Sequence, residues 1–359
     1  MALSIGIVGL PNVGKSTLFN ALSDADALIA NYPFATIEPN TGIVPIPDHR
    51  LAKLAEIYKT DKIVPATVRF VDIAGLVAGA SKGEGLGNQF LSHIRSTSAI
   101  CHVVRAFADP NIQNSGTSDP ARDIEIINTE LVLADLSTLD ARRSKLEKET
   151  KANPKLKPEL ELLDQARAVL DKDIPLHKDP NVQHPTSILQ SFQLLTMKPV
   201  IYVFNVDEAG LSEESKKQEL INLVAPSKAV FICAKIENEL RGLDENDRQE
   251  LLESYGQRES GLVQLIHAAY DTLGLQSFLT AGEKEVRAWT VAKLATAPQA
   301  AGVIHTDFER GFIAAQVVSY PDLIEAGSIA GARANGKVRT EGKTYVMQPN
   351  DVVEFRFNV

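Results

Sequence analysis

Residues 9–16 read Gly9-Leu10-Pro11-Asn12-Val13-Gly14-Lys15-Ser16, the spacing G-x-x-x-x-G-K-S. In front of them Leu3–Gly9 is a continuous apolar run of strand type, and behind them Gly14–Leu22 starts a helix. Between a strand and a helix, such a loop turns successive backbone N–H groups toward a phosphate, and the helix N-terminus adds favourable dipole. The glycines permit the close approach. Lys15 is placed to reach the β and γ phosphates of a nucleotide, and the Ser16 hydroxyl to ligate Mg²⁺.

Working outward, strand and helix patterns alternate. Ala66–Ile73 reads as a strand, Gly85–Ser96 as a helix and Ala99–Phe107 as a strand; the alternation resumes with strands at Pro199–Asn205 and Ala229–Ala234 and a helix at Gly261–Leu273. That order predicts an α/β domain with a parallel sheet covered on both faces. A different texture interrupts it. Arg122–Lys151 contains neither Pro nor Gly, and two largely apolar stripes run along it at intervals of four and three: Ile127, Leu131, Ala134, Thr138 and Ala141, and Val132, Leu136, Leu139, Arg143 and Leu146. Asn153-Pro154 breaks this helix, and Leu156, Leu160, Leu163 and Leu170 share one face of a return helix, so an antiparallel α-helical hairpin is inserted into the α/β domain. Past Ser277, short strands at Val286–Thr290, Gly311–Ser319 and Asp351–Phe357 alternate with glycine-rich turns, as in a small α+β domain. The expected divisions are 1–120 with 196–276, 121–195, and 277–359.

With 359 residues, 44% hydrophobic and 23% charged, the chain has the balance of a globular protein rather than of a disordered chain or a rod. No apolar run is long enough for a membrane helix, and the first residues lack a basic leader, so neither a membrane span nor a signal peptide is expected. Two cysteines, Cys101 and Cys233, sit in apolar runs and read as buried thiols of a reducing, cytoplasmic compartment. The seven histidines are scattered without metal-ligand spacing. The net charge of −9 argues against a protein coated in nucleic acid. The charge is uneven, however. Arg142–Lys157 holds seven basic residues against Glu147 and Glu149, a local +5 at the expected hairpin tip. That stretch is a candidate contact for RNA phosphates, or else a solvated face of Glu/Lys pairs.

Further residues extend the phosphate site. Asp72-Ile73-Ala74-Gly75 ends a strand, where Asp72 would hold the magnesium shell from the second sphere and the Gly75 amide would sense a γ-phosphate. Thr36, in the loop Asn31–Thr36, is placed to be the second hydroxyl on Mg²⁺. Gly79–Gly87, rich in glycine, suits a segment that orders and disorders with nucleotide state. In base-reading P-loop GTPases a strand ends in Asn-Lys-x-Asp; here Pro199–Phe204 runs into Asn205-Val206-Asp207-Glu208, with the lysine replaced by Val206 and the reading carboxylate moved to the longer Glu208. A displaced carboxylate damages guanine selection, because mismatched polar groups are left unpaired. Cys233-Ala234-Lys235 stands where such proteins pack a Ser-Ala-Lys beside the base.

Taken together, Asn31–Phe34, Asp72–Leu76, Asn205–Glu208, Ala288-Trp289-Thr290 and His305–Phe312 resemble the YchF family, the ribosome-binding, Obg-like ATPases among the translation-factor-related P-loop NTPases. The resemblance runs from the first strand to Val359. It implies a P-loop G domain, a coiled-coil hairpin insert and a C-terminal TGS domain of β-grasp type. It also implies ATP preferred over GTP, hydrolysis to ADP and phosphate, and association with the ribosome or its large subunit. Nucleotide contacts are implied at Asn12, Val13, Gly14, Lys15, Ser16, Thr17, Asn205, Val206, Glu208 and Ala234. Asn12 matches the asparagine that holds K⁺ in potassium-activated relatives. Leu76 stands where many GTPases carry a water-orienting glutamine, so intrinsic hydrolysis is expected to be slow. The loop Asn111–Ser115 lacks the histidine of some relatives, leaving Gln113 or Asn114 to orient water. Two other readings stay open: a true GTPase in which Glu208 reads guanine, and a nucleotide-dependent binding module with incidental turnover.

Overall fold

A computed structural model of the chain describes residues 3–24, 40–73, 86–107, 119–179, 189, 191–240 and 242–358. In chain order the strands are β1 (Ser4–Val8), β2 (Thr41–Pro45), β3 (Ile63–Val64), β4 (Thr67–Asp72), β5 (Ala99–Arg105), β6 (Val200–Asn205), β7 (Lys228–Ile232), β8 (Leu275–Ala281), β9 (Val286–Ala292), β10 (Phe312–Ser319), β11 (Arg339–Glu341) and β12 (Asp351–Phe357). The first helices are α1 (Lys15–Asp24), α2 (His49–Tyr58), α3 (Leu86–Ser96), α4 (Pro120–Ala152) and α5 (Lys157–Leu170). The chain divides into two compact units, Met1–Gly42 with Arg69–Ala269, and Ile43–Val68 with Tyr270–Val359.

The first unit is built on a sheet of order β2-β4-β1-β5-β6-β7. From β4 to β7 every pair is parallel, with Ile5 opposite Phe70 and Ala99, and Val203 opposite Val103 and Val230. Each residue of β1, β5 and β6 is buried, which is why these strands read as unbroken apolar runs rather than alternating ones.

Helix α4 is 33 residues long, about 50 Å at ~1.5 Å per residue. Asp119 caps its start, accepting from Ala121 N at 3.0 Å, and Pro120 occupies its first position. Its two apolar stripes have different partners. Val132, Leu139 and Leu146 cluster with Leu163, Ala166 and Leu170 of α5, and Leu176, Leu189, Phe192 and Leu194 close the cluster. Ile124, Ile127, Leu131 and Ala134 are buried too, and α4 also packs on β5. So the arm is rooted in the sheet over its first half and forms a two-helix hairpin beyond it. The break stands where Asn153-Pro154 stops the helix, with Asn153 Oδ1 accepting from Lys155 N at 3.3 Å to open a single 3₁₀ turn.

The root of the arm is polar. Asp135, 1% exposed, accepts from Leu195 N (2.9 Å), Thr196 N (2.8 Å) and Thr196 Oγ1 (2.7 Å), tying α4 to the segment that leads into β6. His102 in β5 is buried against Tyr202 of β6, ring centroids 5.3 Å apart, and its Nε2 has no hydrogen-bond partner. Cys101 and Cys233 are free and buried.

The second unit is a mixed sheet of order β11-β10-β12-β8-β9-β3. β8 and β9 form an antiparallel hairpin, helices Ala297–Ile304 and Thr306–Arg310 follow, and β12 returns between β10 and β8, antiparallel to the first and parallel to the second. Phe278, Val291, Val317 and Val353 form its core with Ala297, Ala300 and Ala301 of the first of these helices. Residues 43–68 belong here because α2 packs on β9 and β3 pairs with β9 in parallel. The sequence reading assigned no element to α2, β2 or β3. A two-residue strand has no periodicity to detect, and β2 ends in Pro45. Among the described residues no helix is long and apolar enough to cross a membrane.

Replacing Asp135 with Ala leaves two buried N–H groups unpaired and should lower the unfolding free energy of the first unit by roughly 2–4 kcal/mol; an unchanged urea midpoint contradicts this. A second expectation concerns acid. Burial pushes His102 down to about 3 and His177 down to about 4. Unfolded histidine, near 6.5, takes up protons that the folded state refuses, so stability rises with pH and is lost as pH falls from about 6.5 toward these values. The thermal midpoint should be lower at pH 5 than at pH 7.5, by a smaller margin in His102→Phe; an equal margin places the acid sensitivity elsewhere.

Candidate functional site

The loop after β1 has the backbone its sequence demands. Gly14 has φ +103°, and a side chain there would meet Asn205 Nδ2 at 2.6 Å; at Gly9 a Cβ would lie 2.5 Å from the Val103 carbonyl. Asn12, exposed at the crest of the loop, has φ +60°. Asparagine tolerates this left-handed region better than most residues.

Val13 is buried and Gly14 half-buried, while Ser16 and Thr17 are exposed in the first turn of α1. Lys15 is 9% exposed, and its Nζ donates to the Leu10 carbonyl at 2.7 Å. Burial holds the Lys15 ammonium below its ordinary range, against the attraction of Asp72. Burial likewise raises Asp72, at the end of β4, against the attraction of Lys15. The two groups therefore form one partly desolvated pair of opposite charge beside the loop. Gly75, Thr36 and Asn114, together with Asn31–Phe34, Leu76 and Gln113, lie outside the described residues.

The base-side segment divides its labour. Asn205, 9% exposed at the end of β6, donates from Nδ2 to the Val13 carbonyl at 3.1 Å and so braces the phosphate loop. Val206 is a core residue at 3% exposure, its N–H donated to the Ile232 carbonyl at 2.9 Å. Asp207 Oδ1 accepts from Gly210 N at 2.8 Å and shapes the turn that follows. Glu208, half-exposed, is ion-paired and hydrogen-bonded to Lys235 Nζ. Ala234 opens the helix Ala234–Glu239 and lines a narrow slot with Gly14, Thr17, Asn205 and Glu237.

Two features were missed by the sequence reading. Glu237, buried, accepts from Gly261 N at 2.6 Å and Leu262 N at 3.4 Å, fastening the helix Gly261–Thr272 behind the slot; burial raises its carboxyl. Arg105 at the end of β5 lies over Phe107, its Cζ 4.7 Å from the ring centroid, and faces Asp123 of α4, whose carboxyl is pushed up to about 6 chiefly by burial. A charged residue closing an apolar strand was the only signal, and such residues are indistinguishable from surface ones without the fold.

The basic arm tip is only partly available. Arg143 pairs with Asp164 (2.7 Å) and Glu147 (3.4 Å), Lys145 with Glu149 (3.8 Å) and Lys157 with Glu161 (4.0 Å). Arg142 lies over Phe192, 4.7 Å from its centroid. Lys148, Lys151 and Lys155 are exposed, with no ion pair among the described residues.

Comparison with known proteins places these observations. Residues 4–134 match a family model described as a 50S ribosome-binding GTPase, and residues 275–358 match the YchF-type GTPase C-terminal model, described as a protein of unknown function. The chain is 50% identical to the ribosome-binding ATPase YchF of Bacillus subtilis (strain 168) and 50% identical to that of Haemophilus influenzae, over 100% of each chain. Its fold is similar to the solved YchF GTPase of Schizosaccharomyces pombe, with a TM-score of 0.88 at 38% identity over 99% of this chain and 97% of that one. Full-length identity of this order, matching models at both ends and a shared fold establish that the chain belongs to the YchF family, with a P-loop GTPase-type domain.

Proposed function

We propose that this chain is a Mg²⁺-dependent ATPase that hydrolyses ATP slowly and acts as a cytoplasmic, ribosome-associated switch. The observation that carries the nucleotide reading is the buried Lys15 at the N-terminus of α1, coupled electrostatically to Asp72. A triphosphate would gain Lys15 and the loop amides, and the desolvated setting would strengthen both. The donors near the loop suit magnesium. Ser16 offers a hydroxyl and Asp72 a carboxylate, both hard oxygen ligands, with Thr36 proposed as the second hydroxyl. Among the described residues no cluster of three His, Cys, Asp or Glu could hold a metal ion, and Mg²⁺ commonly completes its shell with phosphates and water. When bound, the ion would supply charge neutralisation at the transferring phosphoryl group. Gly75 would sense the γ-phosphate, and water would be oriented from the 111–115 loop through Asn114, or by a partner.

Base choice is assigned to Glu208 and its lysine. A carboxylate already accepting from an ammonium is a poorer acceptor for guanine N1 and N2, and the pair supports ATP over GTP. Lys235→Met should free Glu208 and move the ratio of ATP to GTP affinity toward GTP by about tenfold, read by competition with a fluorescent nucleotide. A ratio that does not move assigns base choice to other groups; a wild-type protein that prefers GTP favours the GTPase reading instead.

The ribosomal partner comes from the relatives' names together with the arm. Lys148 and Lys151 stand three apart on α4, and Lys155 follows across the break, a cationic strip of the kind that meets RNA phosphates. The second unit is proposed as the family's TGS domain. Changing all three lysines to Glu should reduce co-sedimentation with ribosomes at least tenfold at low salt without altering ATP affinity. Undiminished co-sedimentation would remove the arm tip from the interface.

A further inference from the structure

The second unit contains a cavity of about 430 Å³ for which the nucleotide chemistry has no use. It opens where the sheet parts. β12 keeps register with β10 from Asp351 to Arg356, with a shift at Phe312/Ala314 before Phe357, and β8 keeps register with β9 throughout, but β12 pairs with β8 only at Val352 opposite Leu279. Both strands run in the same direction, and past that pair their residues line the two sides of the opening.

Because successive strand residues point to opposite faces, the two ends of the cavity differ in character. Phe355 lies on the core face with Trp289 and Phe308, giving an aromatic end. Glu354 lies on the other face with Tyr58, giving a polar end. Two acidic residues, Glu285 and Glu354, line it, and among the described residues no lysine or arginine does. One of them, Glu285, is satisfied by Lys62 at 2.7 Å and Arg287 at 3.9 Å. Glu354 has no ion pair among the described residues, and after burial its charge is what raises the Tyr58 hydroxyl. The ring at the aromatic end already accepts a cation on its face: the Arg287 guanidinium carbon lies 3.9 Å from the Trp289 centroid.

We infer that this cavity binds an organic ammonium carrying an apolar or aromatic body, with the ammonium at Glu354 and Tyr58 and the body among Trp289, Phe308 and Phe355. The volume suits a small ligand of that kind. An anion of the same shape would bring its charge to Glu354, and the cations beside the cavity, Lys62 and Arg287, are already paired with Glu285. The ammonium could belong to a free amine or to a lysine side chain of a partner, and the shared chemistry is the same.

Trp289 is the only tryptophan of the chain, so its emission reports this cavity in the full-length protein. Titration with phenethylamine should give a saturable change, and 3-phenylpropionate should bind at least tenfold more weakly. Glu354→Gln, at an exposed strand position, should weaken phenethylamine by about tenfold and leave ATP affinity unchanged. Nα-acetyl-lysine amide binding as well as phenethylamine supports a protein side chain as the source; weaker binding supports a free amine. The inference is overturned if neither amine gives a saturable change, if the carboxylate binds as tightly as the amine, or if Glu354→Gln binds the amine as the unmodified chain does.

Discussion

One side-chain amide holds the nucleotide site in register. Asn205 donates from its side chain to the Val13 carbonyl within the phosphate loop, and its backbone carbonyl accepts from Ala106 N at 2.8 Å just past β5. Gly14 is the counterpart: its missing Cβ is what lets Asn205 approach. The loop after β1 and the ends of β5 and β6 thus share one residue, so the base-side segment and the phosphate loop cannot shift independently. The partly desolvated Lys15 and Asp72 rest on that arrangement, since a charge taken out of water is tolerated only when its partners stay in place.

The same economy recurs where the arm joins the sheet. α4 cannot be a free coiled coil over its whole length, because over its first half it packs on the sheet. Asp135 meets three donors from the segment leading into β6, the strand that ends in Asn205. The arm root and the nucleotide segment are therefore the two ends of one short path through the first unit. Farther out, ion pairs absorb Arg143 and two of the lysines, Arg142 lies over Phe192, and the cationic surface narrows to Lys148, Lys151 and Lys155.

How much of this was legible in the sequence depended on the physical signal. β1, β5 and β6 announce themselves by unbroken apolar runs, α4 by the absence of Pro and Gly, and the hairpin turn by Asn153-Pro154. The phosphate loop was readable because its backbone needs glycine at fixed places. Other features are long-range and leave no local trace. Nothing near Glu237 says that it will fasten a helix 24 residues onward, nothing in Ile63-Val64 says that it will join a strand beyond residue 285, and nothing in Glu208 says that Lys235 will hold it. The net charge of −9 was similarly uninformative about the tip, because a sum over the chain hides which cations are already paired.

The bracing role of Asn205 is tested most directly by separating the base from the phosphates. Asn205→Ala should weaken binding of ATP and of inorganic triphosphate, each measured with Mg²⁺ by calorimetry, by a similar factor of about ten, because the residue acts on the loop that both ligands share. If ATP binding falls while triphosphate binding is unchanged, Asn205 serves the base rather than the loop, and the account is contradicted.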